Sequence, residues 1–370
     1  MSRRDSMARD IMRTFVADTG LTSAGPPRRY LWTDAHAVCN LIALAARLGE
    51  PEYLDIAVAL ADQVHQVLGR HRVDDVRDGW ISGLDEASGQ QHPTSGGLRI
   101  GKTLPERAVE ERYDAHAEWD RDGQYFHYLT KWMHALYQLG RATNDLRYVR
   151  WGQELAVTAV EKFTTVNGSP RLAWKMSIDL SRALVPSSGQ HDPLDGYITA
   201  LVLLEAAPDK RLADTVGQLE ALCQGREWAT DDPLGIGGLL FDACRLAQSS
   251  GRAGGGKPDQ LFKTVAGVAL HSLNNFLSQS QSQSPLRQPA SHRLAFRELG
   301  MAIGLHGIGY LQDALRLNEE TVEYFSSVAQ DIEAFWLTPS HQQQPTWLEH
   351  HDINSVMLAT SLLSASFLEI

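Results

Sequence analysis

Apolar positions run along this chain in long blocks with helical spacing, and period-two alternation is rare. From Asp34 the block DAHAVCNLIALAARL ends at Gly49, a residue suited to the position just past a helix. PEYLDIAVALADQVHQVLG then restarts with Pro51 where proline is tolerated, in the first helical turn. The couplet returns from Asp122, where DGQYFHYLTKWMHALYQLG stops at Gly140 and NDLRYVRWGQELAVTAVEKF follows. Both couplets join a helix ending in Leu-Gly to one with a tyrosine near its start, Tyr53 or Tyr148. Fainter copies begin at Asp192, Asp232 and Leu294. One unpaired helix is expected over 6–17 and another from His350 onward, so five hairpins and two terminal helices make six pairs.

The first helix of each pair is apolar almost all round, as a helix buried on both sides must be, and the second is amphipathic. The pattern predicts an inner and an outer ring of helices. This is an all-α (α/α)6 toroid in a single domain over 1–370, the N-terminal helix closing the ring with the C-terminal one. Short β-ribbons are expected in loops, at 79–84, 97–101 and 172–179. Segments 70–119 and 164–190 exceed simple hairpin loops and are expected to cover one mouth. Residues 249–260 and 278–292 read as low-complexity loops.

Composition narrows the class. At 370 residues, with 43% hydrophobic and 21% charged positions, the chain is globular rather than disordered. A net charge of −11 argues against a nucleic-acid partner, which would need a basic face. Cys39, Cys223 and Cys244 are widely spaced, which argues against a disulfide framework and a cysteine zinc site. No apolar run has the length of a membrane span or a secretory signal, so the expectation is a cytoplasmic protein with no membrane partner.

If the inner helices run parallel, their starts share one face. Carboxylates gather there at Asp34, Asp122, Asp192, Asp195, Asp232 and Asp352, and capping alone would account for many of them. Aromatic and basic residues accompany them: Trp32, Trp119, Trp228, Trp347, Tyr125, Tyr197, His191 and His351. Flat rings stack on the apolar faces of sugars, and paired carboxylates of separated pKa perform glycosidic acid/base chemistry. Helix 123–140 carries a polar stripe, Gln124, His127, Lys131, His134 and Gln138, in which His127 is placed to move a proton near neutral pH.

The repeat plan and this acidic mouth resemble the six-hairpin glycosidase superfamily. The segment TDAHAVCNLIALAARLGEPEYL is similar to its unsaturated glucuronyl hydrolases, and the N-acylglucosamine 2-epimerase group shares the ring. The first resemblance implies an aspartate acid/base that adds water to an unsaturated sugar, matched to Asp122 in WDRDGQYFHY, with Asp34 and Asp195 beside it. The second implies histidines exchanging a proton next to a carbonyl, with His127, His191 or His351 as candidates. The expected function is therefore a glycoside hydrolase acting on a small saccharide, without cofactor or metal. Trp32, Trp119, His127, His191, Tyr197, His351 and Asp352 would bind it. The alternatives are a sugar epimerase or isomerase, a small-molecule cyclase or lyase, and a non-catalytic ligand-binding ring. Gly251 to Pro258 imitates a phosphate loop but ends in proline where Ser or Thr would hold magnesium, and reads as a connector. Asp74-Asp75-Val76-Arg77-Asp78 has the DDxxD pattern of diphosphate lyases, but between glycines rather than on an apolar helix.

Overall fold

The computed structural model describes residues 1–165, 170–253, 257–279 and 284–370, with backbone only at 250–253 and 257–259. Among the described residues, twelve long helices follow in order. They are α1 (Arg3–Asp18), α2 (Leu31–Leu48), α3 (Glu52–Leu68), α4 (Phe126–Thr143), α5 (Leu146–Phe163) and α6 (Asp192–Ala206). There follow α7 (Lys210–Cys223), α8 (Pro233–Ala253), α9 (Lys257–Leu277), α10 (Ala295–His306), α11 (Glu319–Trp336) and α12 (His351–Leu362).

Burial separates the two helices of each pair as the sequence pattern requires. In α2 every residue from Leu31 to Leu41 is buried, so no face is left for water. Its partner α3 buries Tyr53, Ala57, Leu60, Ala61, Val64, His65 and Leu68, the stripe of an amphipathic helix. The same contrast holds between α4, buried without a break from Trp132 to Gly140, and α5. It recurs between α10, buried from Glu298 to Leu305, and α11.

The chain divides into two compact units. One comprises Val16–Ala45 and Glu50–Gly225; the other comprises Met1–Phe15, Ala46–Gly49 and Arg226–Ile370. In the second unit a buried polar network ties α1 to its neighbours. Glu333 takes both Arg4 guanidinium nitrogens, at 2.5 and 2.9 Å, the His306 Nε2 at 2.8 Å and the Ser361 hydroxyl at 2.6 Å. Arg293 grips Glu298 with two nitrogens and lies 3.6 Å from the Phe335 ring centre.

Strands are minimal. β1 (Gln124–Tyr125) pairs antiparallel with β4 (Lys175–Met176), and β2 (Thr164–Thr165) pairs with β3 (Arg171–Leu172). Of the expected ribbons, only 172–179 supplies strand residues. In 79–84 a single bridge joins Trp80 to Arg70, and 97–101 is extended without a partner strand. Residues 249–260 depart from the loop reading, because α8 runs on to Ala253 and α9 begins at Lys257; residues 254–256 of the phosphate-loop lookalike lie outside the described residues. In 278–292 two short 3-10 turns, Pro285–Arg287 and Ala290–His292, lie in the described part, and 280–283 lie outside the described residues. The DDxxD aspartates lie in a turn: Asp74 takes the Arg72 guanidinium, and Asp75 takes that of Arg77.

Candidate active site

The first unit gathers aromatic rings around His127, the second residue of α4. Trp32 of α2 lies 6.1 Å from it between ring centres, Tyr125 5.2 Å and Tyr128 4.9 Å. Trp174, just before β4, lies nearly parallel to the imidazole at 6.1 Å and 14°. The β1–β4 pairing sets Tyr125 opposite Lys175 and so brings Trp174 to the same wall. Gly123 makes this turn feasible. Its φ is +148°, and a Cβ there would sit 2.7 Å from the Met176 carbonyl oxygen. The Tyr30 and Tyr128 hydroxyls meet at 2.6 Å, and the Lys102 ammonium lies 5.5 Å from the Tyr30 ring. Burial raises the Tyr30 phenol to about 12 and Tyr128 further, so both remain protonated hydrogen-bonding groups.

The polar groups on this wall come from two helices. The imidazole of His127 is a quarter exposed, and its Nδ1 makes no hydrogen bond, with an Asp192 oxygen 3.9 Å away. Burial and the neighbouring Lys131 charge push its pKa down to about 3, so the ring is neutral. One turn on, the Lys131 ammonium is 2.8 Å from Asp195, which also accepts the Thr130 hydroxyl. Asp192 and Asp195 stand one turn apart in the first turn of α6, where the helix favours negative charge. His36, one turn beyond Trp32, is neutral for the same reason as His127: burial lowers it to about 4, and its Nδ1 lies 2.9 Å from the Trp32 carbonyl oxygen.

The other sequence-derived candidates fall into distinct places. Asp122 is completely buried. One oxygen takes Arg99 at 2.5 Å and Arg72 at 3.5 Å. The other accepts the N–H groups of Gly101 and Gly123 at 3.0 Å each and of Lys102 at 3.3 Å. Such a carboxylate is an anchor for the 70–122 excursion. Nor is it in a helix: α4 begins only at Phe126, after the Gly123 turn and β1. Asp34 is buried too, accepting the Tyr30 N–H at 2.9 Å with the Arg29 guanidinium at 3.3 Å. His191 precedes α6, its carbonyl accepting the Asp195 N–H. Tyr197 turns away from the wall, since it lies two residues, about 200°, round the helix from Asp195. Burial raises its pKa, with Glu220 and Cys223 of α7 adding to the shift.

Trp119 stands at the edge of the wall, half exposed and edge-on to Trp174 at 5.4 Å. His351 and Asp352 belong to the second unit, where they face each other at 3.2 Å. Trp228 and Trp347 are core residues there, Trp347 stacking on Trp336. The polar stripe of 123–140 also divides. Gln124 is a buried strut, its amide donating to the Gly96 and Ile178 carbonyls and accepting the Leu98 N–H, while His127 and Lys131 reach the wall. Sequence reasoning missed Tyr30, Tyr128 and Trp174, which lie outside any periodic pattern of carboxylates. Among the described residues no group of three or more His, Cys, Asp or Glu could hold a metal ion. No described helix is long and apolar enough to cross a membrane.

No protein-family model and no curated protein matches this chain. Solved structures match it along its full length. A glycoside hydrolase family 76 α-1,6-mannanase of Salegentibacter aligns with a TM-score of 0.60 at 12% identity, covering 99% of this chain and 100% of its own. A family 76 α-mannanase of Bacteroides thetaiotaomicron gives 0.61 at 9% identity, over 98% and 96%. A D-mannose isomerase gives 0.53 at 12% identity, over 90% and 86%. The chain thus has the (α/α)6 toroid fold. Within that class it is similar to structures of both hydrolases and isomerases, at identities where the likeness is one of fold.

Proposed function

We propose that this chain is a carbohydrate-active enzyme, a glycoside hydrolase whose working groups are Asp192, Asp195 and His127 on the aromatic wall. The observation that carries the reading is the convergence of two carboxylates, a neutral imidazole and an ammonium on one partly open face of rings. Asp195, 2.8 Å from the Lys131 ammonium, is the carboxylate that takes a proton from water or offsets positive charge at the anomeric carbon. Asp192, with an oxygen 3.9 Å from the His127 Nδ1, is the carboxyl group placed to give the leaving oxygen its proton as the glycosidic bond breaks. Tyr128 and Trp174 offer flat faces to the sugar, with the buried Trp32 packed against Tyr128. Asp122 and Asp34 hold the loops that frame this wall. The mannanase similarity supports a saccharide substrate, since an inactive variant with two aspartates replaced holds α-1,6-mannotetrose.

The test is release of reducing ends from α-1,6-linked mannose oligosaccharides and from a panel of other oligosaccharides and unsaturated uronides. Asp195→Asn and Asp192→Asn should each reduce the rate at least a hundredfold with the fold retained. Undiminished turnover in either variant removes that carboxylate from the mechanism. One feature favours a second reading, sugar isomerisation or epimerisation: the His127 Nδ1 is buried without a hydrogen bond, 3.9 Å from an Asp192 oxygen. Deuterium from solvent at a carbon next to the carbonyl, with loss of exchange in His127→Gln, would establish that chemistry. Retention of all deuterium-free substrate excludes it.

A further inference from the structure

Among the described residues Trp119 is the one half-exposed tryptophan. The next steps toward the candidate site are rings: Trp119 to Trp174 at 5.4 Å, then Trp174 to His127 at 6.1 Å. The first step is an edge contact at 78° and the second nearly parallel at 14°. An exposed tryptophan on a loop would ordinarily be free to move, but here the backbone on both sides of it is fixed from beneath. The Lys175 ammonium, wholly buried, donates to the Glu118 carbonyl at 2.7 Å and to the Arg121 carbonyl at 2.8 Å. It also holds the Glu118 carboxylate at 2.9 Å, while Arg107 takes the other carboxylate oxygen at 3.0 Å. Lys175 follows Trp174 in the chain, so one residue of β4 ties the ring at the site to the loop carrying the exposed ring. A buried ion pair is a poor source of stability, because desolvation offsets most of its attraction. Its effect here is to fix the geometry of a side chain that packs little.

We propose that Trp119 and Trp174 form an outer sugar platform, with Lys175 and Glu118 as its positioning residues, so that the substrate is an oligosaccharide of at least two or three units rather than a free monosaccharide. This inference rests on the proposed carbohydrate site. The unit bound at His127 is the reacting one, and the units beyond it lie across Trp174 and then Trp119. An aromatic face at the edge of a site adds affinity with each unit that covers it and adds none for a unit that does not reach it.

The test is calorimetric affinity for α-1,6-linked mannose oligosaccharides of one to four units, or for the series that the activity panel selects. Measurements use the whole chain as wild type, Trp119→Ala and Lys175→Met. The wild type should gain about tenfold in affinity on lengthening from one unit to three, the scale of one well-packed aromatic contact. In Trp119→Ala that gain should fall to less than about threefold. Lys175→Met should lose the same gain while its helical circular dichroism persists, and Lys175→Arg should restore part of it, which a merely structural lysine would not do. Should Lys175→Met fail to fold, Trp119→Ala decides, because its ring supports no core. A wild type that binds sugars with no dependence on length, or a Trp119→Ala variant with an undiminished gain, overturns the platform and leaves the enzyme reading standing. A wild type that binds no saccharide of any length overturns both.

Discussion

Replacing Asp122 by asparagine separates an anchor from a proton carrier. The substitution keeps the shape and one carbonyl oxygen, but it removes the charge opposite Arg99 and turns an amide N–H2 toward donors. Five donors now converge on the carboxylate, from Arg99, Arg72 and the N–H groups of Gly101, Lys102 and Gly123. Breaking a buried ion pair by removing one partner costs about 3–5 kcal/mol, since the other charge stays buried. Arg99 keeps its bonds to the Arg70 and Val67 carbonyls at 2.7 and 2.6 Å, so the lower end applies, about 3 kcal/mol. With a urea slope of about 3 kcal/mol/M, the midpoint of unfolding should fall by about 1 M. The assay is urea unfolding of wild type and variant followed by circular dichroism, with turnover measured on the same samples. Activity lost only in proportion to the unfolded fraction fits an anchor. An unshifted midpoint with turnover abolished would return the proton to Asp122 and refute the argument from its partners.

Two further predictions concern stability in the same unit. His65 is buried on α3, its Nε2 accepting the Trp132 indole N–H at 3.1 Å, and burial lowers its pKa to about 3. Its folded pKa lies below the unfolded value of about 6.5, so the neutral ring's contribution is complete above that pH and is lost as pH falls toward 3. Between pH 7 and pH 5 this residue alone should remove about 2 kcal/mol, and His65→Gln, which can still accept from Trp132, should flatten the urea-midpoint slope over that range by that amount. An unchanged slope would show that His65 does not titrate on unfolding. Gly123→Ala forces a Cβ against the Met176 carbonyl at a φ that side chains avoid, and should cost at least about 2 kcal/mol. Because the turn carries β1, tryptophan fluorescence from the Trp174 wall should shift with it, and an unperturbed spectrum would show that the wall does not depend on the turn.

The helical plan was legible because burial on two sides leaves a direct mark in the chain. A block such as 31–41 in α2, closed to water all round, cannot be confused with the stripe of α3. The rings of the site were half legible. Trp32 and His127 lie on helices whose starts could be located, whereas Trp174 reaches His127 only through the pairing of two-residue strands about fifty positions apart. Tyr30 and Tyr128 carried no signal at all: their hydroxyls meet across a separation of 98 residues. The extent of α8 and α9 was misjudged for a simpler reason, since the glycine and serine content of 249–260 was read as a loop although one helix reaches Ala253 and the next begins at Lys257.

The aspartates show most clearly why site chemistry is harder to read than fold. Asp122 and Asp195 look alike in sequence, each an acidic residue ahead of an apolar helix. What separates them is the cation each one meets. Asp122 meets Arg99, whose remaining donors are fixed on backbone carbonyls, so the carboxylate becomes the hub of a buried loop. Asp195 meets the Lys131 ammonium of the neighbouring helix at 2.8 Å and the Thr130 hydroxyl beside it, on the aromatic wall. The two partners place one carboxylate in the buried loop and the other on the aromatic wall, although local sequence favours the same helix-start position for both. Both partners lie far off in sequence, Arg99 at a separation of 23 residues and Lys131 at 64. Exchanging roles between such residues therefore requires no change in the aspartates, only in which basic side chain reaches them, and a fold built from repeated helix starts offers that choice at every repeat.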